Sequence, residues 1–214
     1  MLKAKLLVAV WFFCLFGAGS FFLNVQVIQA DAVPVIKLPQ PDTAGGEPLM
    51  AAMKNRRTDR EFAEKELSPQ QMSDLLWAAG GLSRPEEGKR TVPVMKPESD
   101  LIIHLIIPEG LYLYDPAANE LRLVVAGDHR AAAAGPQAFA AKAPVNVVLS
   151  SGQKNDVAAG ILVGHSSQNI YLYCASAGLN AVTRMTMDRQ AMQELLKLPE
   201  GRRPLLVLTV GPRP

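Results

Sequence analysis

From Val157 to Thr183 the chain carries no Asp, Glu, Lys or Arg, and no other feature constrains the fold as strongly. Read as a helix over Val157 to Ala177 closed by Gly178, the stretch spreads Ile161, Leu162, Ile170, Leu172 and Tyr173 around the whole circumference. A helix standing on a protein surface shows a polar face, so this one is expected to be buried on most sides. His165, Ser166, Ser167, Gln168 and Asn169 are too polar for a lipid-facing span, which places the burial within protein. Gly160 and Gly164 lie about one turn apart and leave a flat strip open to close backbone approach. The neighbour on that strip is either a sheet of the same chain or the same helix of a second chain; composition leaves both open.

A chain of 214 residues is enough for one ordinary domain. Its 49% apolar and 20% charged content argues against disorder. The formal charge of +2 disappears once Lys3 and Lys5 of the first thirty residues are set aside, leaving a neutral remainder. Nucleic-acid binders need a basic footprint and stacking aromatics, yet five of the seven Phe fall before residue 24. Composition therefore argues against a nucleic-acid partner.

Lys3 and Lys5 precede the uncharged apolar run Leu6 to Leu23, and the small-residue pattern Ala30-Asp31-Ala32 follows. This is the layout of a secretory signal peptide over residues 1–30, so the protein is expected to be exported, to the periplasm or cell envelope. A retained membrane anchor is the alternative reading of the same run, and membrane association is expected only in that case. Signal removal would take Cys14 and leave Cys174 alone, so no internal disulfide is expected. In its apolar helical setting Cys174 reads as a buried, inert thiol.

Asp31 to Glu47 is rich in Pro and Gly without a period and reads as an extended arm over residues 31–47. The folded unit, residues 48–214, is expected to open with a short helix from Pro48 to Asn55. Ser68-Pro69-Gln70-Gln71 forms a capping box with Pro at the first helical position, before Met72, Leu75, Leu76 and Ala79 at helical spacing. The period then changes to that of strands at Leu101 to Ile107, Gly110 to Asp115 and Leu121 to Val125, an antiparallel meander. Asp128 can cap a helix through Ala131 to Ala134, Val145 to Ser150 is a strand, and Ala181 and Val182 begin another. Asp188 to Leu196 reads as a helix and Leu205 to Val210 as a last buried strand. Strands clustered in the middle with helices on either side predict an α+β sheet covered by helices.

Much familiar chemistry is absent. His104, His129 and His165 stand far apart with no paired Cys or carboxylate spacing, so a metal site has no support. Gly164-His165-Ser166-Ser167-Gln168 ends in Gln and lies inside a predicted helix, unlike a hydrolase nucleophile elbow. No phosphate-binding glycine loop occurs. No catalytic acid, base or nucleophile is assigned.

What remains is Arg56-Arg57-Thr58-Asp59-Arg60-Glu61-Phe62, three guanidinium groups and a hydroxyl where the first helix runs out. An Arg fork matches a phosphate at two points, and Thr58 can add a donor. Together with LSPQQMSDLLWAAGGLSRPEEGKRTVP, GLYLYDPAANEL with its AGDHR, and SSQNIYLYCASAGLNAVTR, this run resembles the nitroreductase-like family of FMN flavoproteins, over Pro48 to Val210. The resemblance implies an α+β sandwich, with a central, mostly antiparallel sheet flanked by helices. It also implies a homodimer with FMN at the interface.

By the same resemblance, Arg56 and Thr58 match positions that hold the FMN phosphate and ribityl chain, and Arg60 matches a basic position near the pyrimidine edge of the flavin. Thr183 and Arg184 match a strand end that borders it. After Arg90-Thr91-Val92-Pro93 the family continues with small, polar residues against the ring, where this chain has Val94-Met95-Lys96-Pro97-Glu98-Ser99. That half of the site is altered. The resemblance thus implies an FMN-dependent oxidoreductase passing two electrons to a small oxidised substrate. The altered segment instead favours a flavin-free binding or structural homodimer in the cell envelope.

Overall fold

The computed structural model describes residues 33–94 and 101–214. The predicted signal or anchor segment at residues 1–30, and residues 95–99 of the altered stretch, lie outside the described residues. The chain enters along β1 (Val35–Lys37), passes through α1 (Leu49–Asn55) and α2 (Pro69–Gly80), and makes a small hairpin of β2 (Leu82–Arg84) and β3 (Lys89–Arg90). The meander follows as β4 (Leu101–Ile107), β5 (Gly110–Asp115) and β6 (Glu120–Ala126). Then come α3 (Arg130–Ala134), α4 (Ala138–Lys142), β7 (Val145–Ser151), α5 (Asp156–Ser176), β8 (Leu179–Arg184), α6 (Arg189–Leu195) and β9 (Arg203–Pro212). Seven strands form one sheet in the order β1-β6-β5-β4-β7-β9-β8, antiparallel at each of these pairings. The α+β architecture is the expected one.

Local chemistry explains the firmest elements. The Gln71 backbone N–H donates to Ser68 Oγ at 3.1 Å and the Ser68 N–H donates to Gln71 Oε1 at 2.9 Å, closing the capping box that starts α2. At its far end a side chain on Gly80 would put Cβ 2.9 Å from Ile103 Cδ1, so glycine lets α2 sit directly on β4. Asp115 Oδ1 accepts from the N–H groups of Ala117 and Ala118 at 2.9 and 3.2 Å, turning β5 into β6 with Asn119 at φ 49°.

Strand alternation divides the interior in two. On one face Ile103, Leu105, Val147, Leu149 and Leu208 pack against Leu75 and Leu76 of α2 and Leu162, Ile170 and Cys174 of α5. On the other Ile106, Val148 and Val207 meet Ala133, Met187, Met192 and Leu196. Both faces are covered, which is why β4, β7 and β9 read as almost unbroken apolar runs.

Two expectations change. The arm at residues 31–47 is docked over its described part: β1 pairs with β6, Leu38 is buried, and Asn119 Nδ2 donates to Pro39 O at 2.7 Å. The described part of the arm therefore belongs to the folded unit, ahead of the expected start at Pro48. Its three-residue strand has no room to display a period. Second, α5 is buried along one side only within a single chain. Ala159, Leu162, Val163, Ser166, Ser167, Ile170, Tyr171 and Cys174 face inward, whereas Val157, Gly160, Ile161, Gly164, His165 and Gln168 are exposed. Lack of charge marked the helix as unusual without marking it as enclosed.

Candidate cofactor site

The candidate site forms where α1 ends. Arg56 caps that helix with extended backbone (φ −59°, ψ 121°), its N–H still bonded to Ala52 O at 2.9 Å. The chain then runs alongside the sheet edge, held by Asp59 N–H on Ala181 O at 3.0 Å, Asn180 Nδ2 on Glu61 O at 2.8 Å and Ala63 N–H on Pro212 O at 3.0 Å. These bonds fix a segment that has no secondary structure of its own.

Three of the five expected site residues converge on one side chain, Tyr171 of α5. The Arg56 guanidinium lies over its ring, Cζ 5.2 Å from the centroid. Thr58 Oγ1 is 3.0 Å from its hydroxyl, and the Thr183 N–H donates to the same hydroxyl at 2.8 Å. Thr183 Oγ1 in turn lies 2.7 Å from Ser167 Oγ. The Arg56 side chain makes no hydrogen bond or ion pair among the described residues, and the same holds for that of exposed Arg60; Arg57 is paired with Asp59 at 2.9 Å. The Arg56 guanidinium and the Thr58 hydroxyl thus share one aromatic side chain, a cation and a hydroxyl of the kind that can meet an anion.

Arg184 is placed elsewhere. It follows Thr183 on β8, so its side chain leaves from the opposite face of the sheet. There it is 4% exposed, with Nε on Thr209 Oγ1 and the terminal nitrogens on Ala133 O, Ala134 O, Thr186 O, Asn146 Oδ1 and Gln137 Oε1, at 3.0 to 3.3 Å. Burial lowers its pKa to about 10, which leaves it charged at neutral pH. A guanidinium with its five N–H groups taken up this way braces α3, β7 and β9 and has none for a ligand. The expected flavin contact at Arg184 is therefore corrected to a structural role.

The Arg90-Thr91 motif is also structural where it is described. Arg90 Nε donates to Gly80 O at 2.6 Å and Nη1 to Leu101 O at 3.1 Å, while Thr91 Oγ1 donates to the end of α2 at Trp77 O, 3.0 Å away. Val94 packs against the larger core. Cys174 is a buried free thiol whose pKa burial pushes up. No group of three or more His, Cys, Asp or Glu that could hold a metal ion occurs among the described residues. Tyr171 and Ser167 were not singled out from sequence: in a charge-free helix a tyrosine and a serine look like core.

The model of the family described as the nitroreductase family matches residues 53–212. The chain belongs to the nitroreductase family. A protein of Methanocaldococcus jannaschii with a provisional nitroreductase assignment is 30% identical over 174 residues, 73% of this chain and 86% of that one. The crystal structure of a provisionally assigned nitroreductase from Ralstonia eutropha JMP134 superposes with TM-score 0.77 at 36% identity, covering 84% of this chain and 90% of its own. A longer protein from Anabaena variabilis ATCC 29413, 19% identical, shares the fold at TM-score 0.69 over 85% of this chain and 42% of its own.

Proposed function

We propose that this nitroreductase-family protein is an FMN-dependent oxidoreductase that passes two electrons to a small oxidised substrate, acting as a homodimer in the cell envelope. The observation that carries the reading is the convergence of Arg56, Thr58 and Thr183 on Tyr171, with the donors of Arg56 and Arg60 unused among the described residues. Arg56 and Thr58 fit the phosphate end of FMN, a dianion that accepts hydrogen bonds and offers none. With flavin bound, Arg60 would be the cation for the negative charge that two-electron reduction leaves near N1 and O2 of the ring.

Bound FMN would supply the redox chemistry, and the chain's task is to bind and orient it. That accords with a sequence in which no acid, base or nucleophile stands out. The envelope location rests on Lys3, Lys5 and the apolar run from Leu6 to Leu23, and it calls for an electron donor other than a soluble nicotinamide. No helix among the described residues is long and apolar enough to cross a membrane.

The test is purification of the full chain and titration with FMN, followed by flavin fluorescence. A yellow preparation that releases FMN on denaturation, or saturable FMN uptake by a colourless one, is the expected result. A colourless protein that takes up no FMN overturns the reading. The flavin-free binding or structural dimer favoured by Val94 to Ser99 would then stand in its place.

A further inference from the structure

The hydroxyl of Tyr171 carries a single hydrogen, and its position decides what Thr58 can offer a ligand. The residue is 9% exposed, and a buried phenol hydrogen finds an acceptor. Its oxygen already accepts from the Thr183 N–H at 2.8 Å, a donor with no freedom to reverse. Among the described residues the acceptor left for the Tyr171 hydrogen is Thr58 Oγ1 at 3.0 Å. The chain therefore runs one way, from Thr183 N–H to Tyr171 O–H to Thr58, and it leaves the hydrogen of exposed Thr58 for whatever binds outside. Donors aligned in series polarise one another, so the terminal hydroxyl is a strengthened donor. Over the same ring lies the Arg56 guanidinium, held by the tyrosine face.

We infer that Tyr171 is the positioning residue of this site. It holds Thr58 as a donor and Arg56 as a cation toward one point, and so selects a flavin that carries a phosphate over one that does not. The inference rests on the FMN reading above and assigns phosphate discrimination to a side chain that does not itself touch the ligand.

The experiment compares FMN with riboflavin, which shares the ring and ribityl chain and lacks the phosphate. Dissociation constants of both are measured by fluorescence on the full chain for wild type, Tyr171→Phe and Thr58→Val, with thermal unfolding recorded for each. Wild type is expected to prefer FMN. Tyr171→Phe should weaken FMN binding roughly five- to tenfold, the scale of one hydrogen bond, and leave riboflavin unchanged. Thr58→Val should do the same, and the double variant should lose no more than either single one, because all three break one chain. A general loss of packing would instead lower both affinities together, and that outcome overturns the assignment. So does an unchanged FMN to riboflavin ratio in Tyr171→Phe when wild type binds FMN, or losses that add in the double variant. Should Tyr171→Phe fail to fold, Thr58→Val on the surface still decides: an unaltered ratio there refutes the chain. Wild type that binds neither flavin refutes the FMN reading itself, and this is separable from the other outcomes because no variant is needed to see it.

Discussion

Arg56 and Arg184 carry the same side chain into opposite circumstances. Arg56 rests on an aromatic face with its hydrogen-bonding edge unengaged among the described residues, while Arg184 is enclosed and donates to five residues' carbonyl and amide oxygens and to one hydroxyl. Removing Arg56 should therefore cost binding and little stability. Arg56→Ala is expected to weaken FMN affinity by about 1.5 to 3 kcal/mol, the scale for a hydrogen bond to a charged group, with an unchanged urea midpoint. Equal affinity in the variant would detach this residue from the phosphate. His104 presents a different problem. It is 2% exposed on β4, its register partners Leu113 and Val148 are apolar, and its Nδ1 has no partner among the described residues. Burial lowers its pKa from 6.5 to about 4. Between those values the unfolded chain binds a proton that the folded chain excludes, so stability rises with pH across the window and is level above it. His104→Leu should abolish about 3 kcal/mol of this slope in urea unfolding measured from pH 4 to 7. An unchanged slope would mean that His104 accepts its proton without unfolding.

At the scale of elements, legibility followed how local the determining chemistry is. The start of α2 was readable to the residue because Ser68, Pro69 and Gln71 lie within one turn and each acts on the backbone beside it. Ser68→Ala should lower stability by about 1 kcal/mol, seen as a shifted chemical-denaturation midpoint; no shift would show the cap redundant with its neighbours. The strand at Val35–Lys37 was not readable, because what makes it a strand is β6, far along the chain. The same division runs through the site. The Arg56 to Arg60 run shows its chemistry in its residue types, but Tyr171 joins it only through the packing of α5 against α1 and β8. Thr183 and Arg184 were read as a pair, and the two-residue period of a strand sends one to the site and the other into the second core.

The whole molecule is left with a surface that one chain does not cover. Val157, Gly160, Ile161, Gly164, His165 and Gln168 recur at spacings of three and four, so they form one exposed stripe along α5. Val157 and Ile161 are 71% and 53% exposed, and on neighbouring α1 Met50 reaches 75% with Leu49 and Met53 also exposed. Exposed large apolar side chains on two neighbouring helices point to an interaction surface. Gly160 and Gly164 sit within it with nothing near the place a Cβ would take, so the flat strip faces away from the chain's own sheet. The sheet of the same chain is on the other side, so of the two neighbours left open by composition the strip does not meet that one. A second copy then offers the same stripe, and a two-fold pairing of α5 helices satisfies both at once. Gly164→Leu separates folding from association. Within one chain the added side chain points into open space, so secondary structure and unfolding temperature of the isolated subunit should be retained. Between two closely approaching helices it overpacks and should shift the protein toward the monomer. Light scattering coupled to size exclusion at micromolar concentration checks both: wild type is expected at twice the subunit mass and Gly164→Leu at the subunit mass. Wild type running as a folded monomer would refute the dimer, and a variant that stays dimeric would move the interface off this helix.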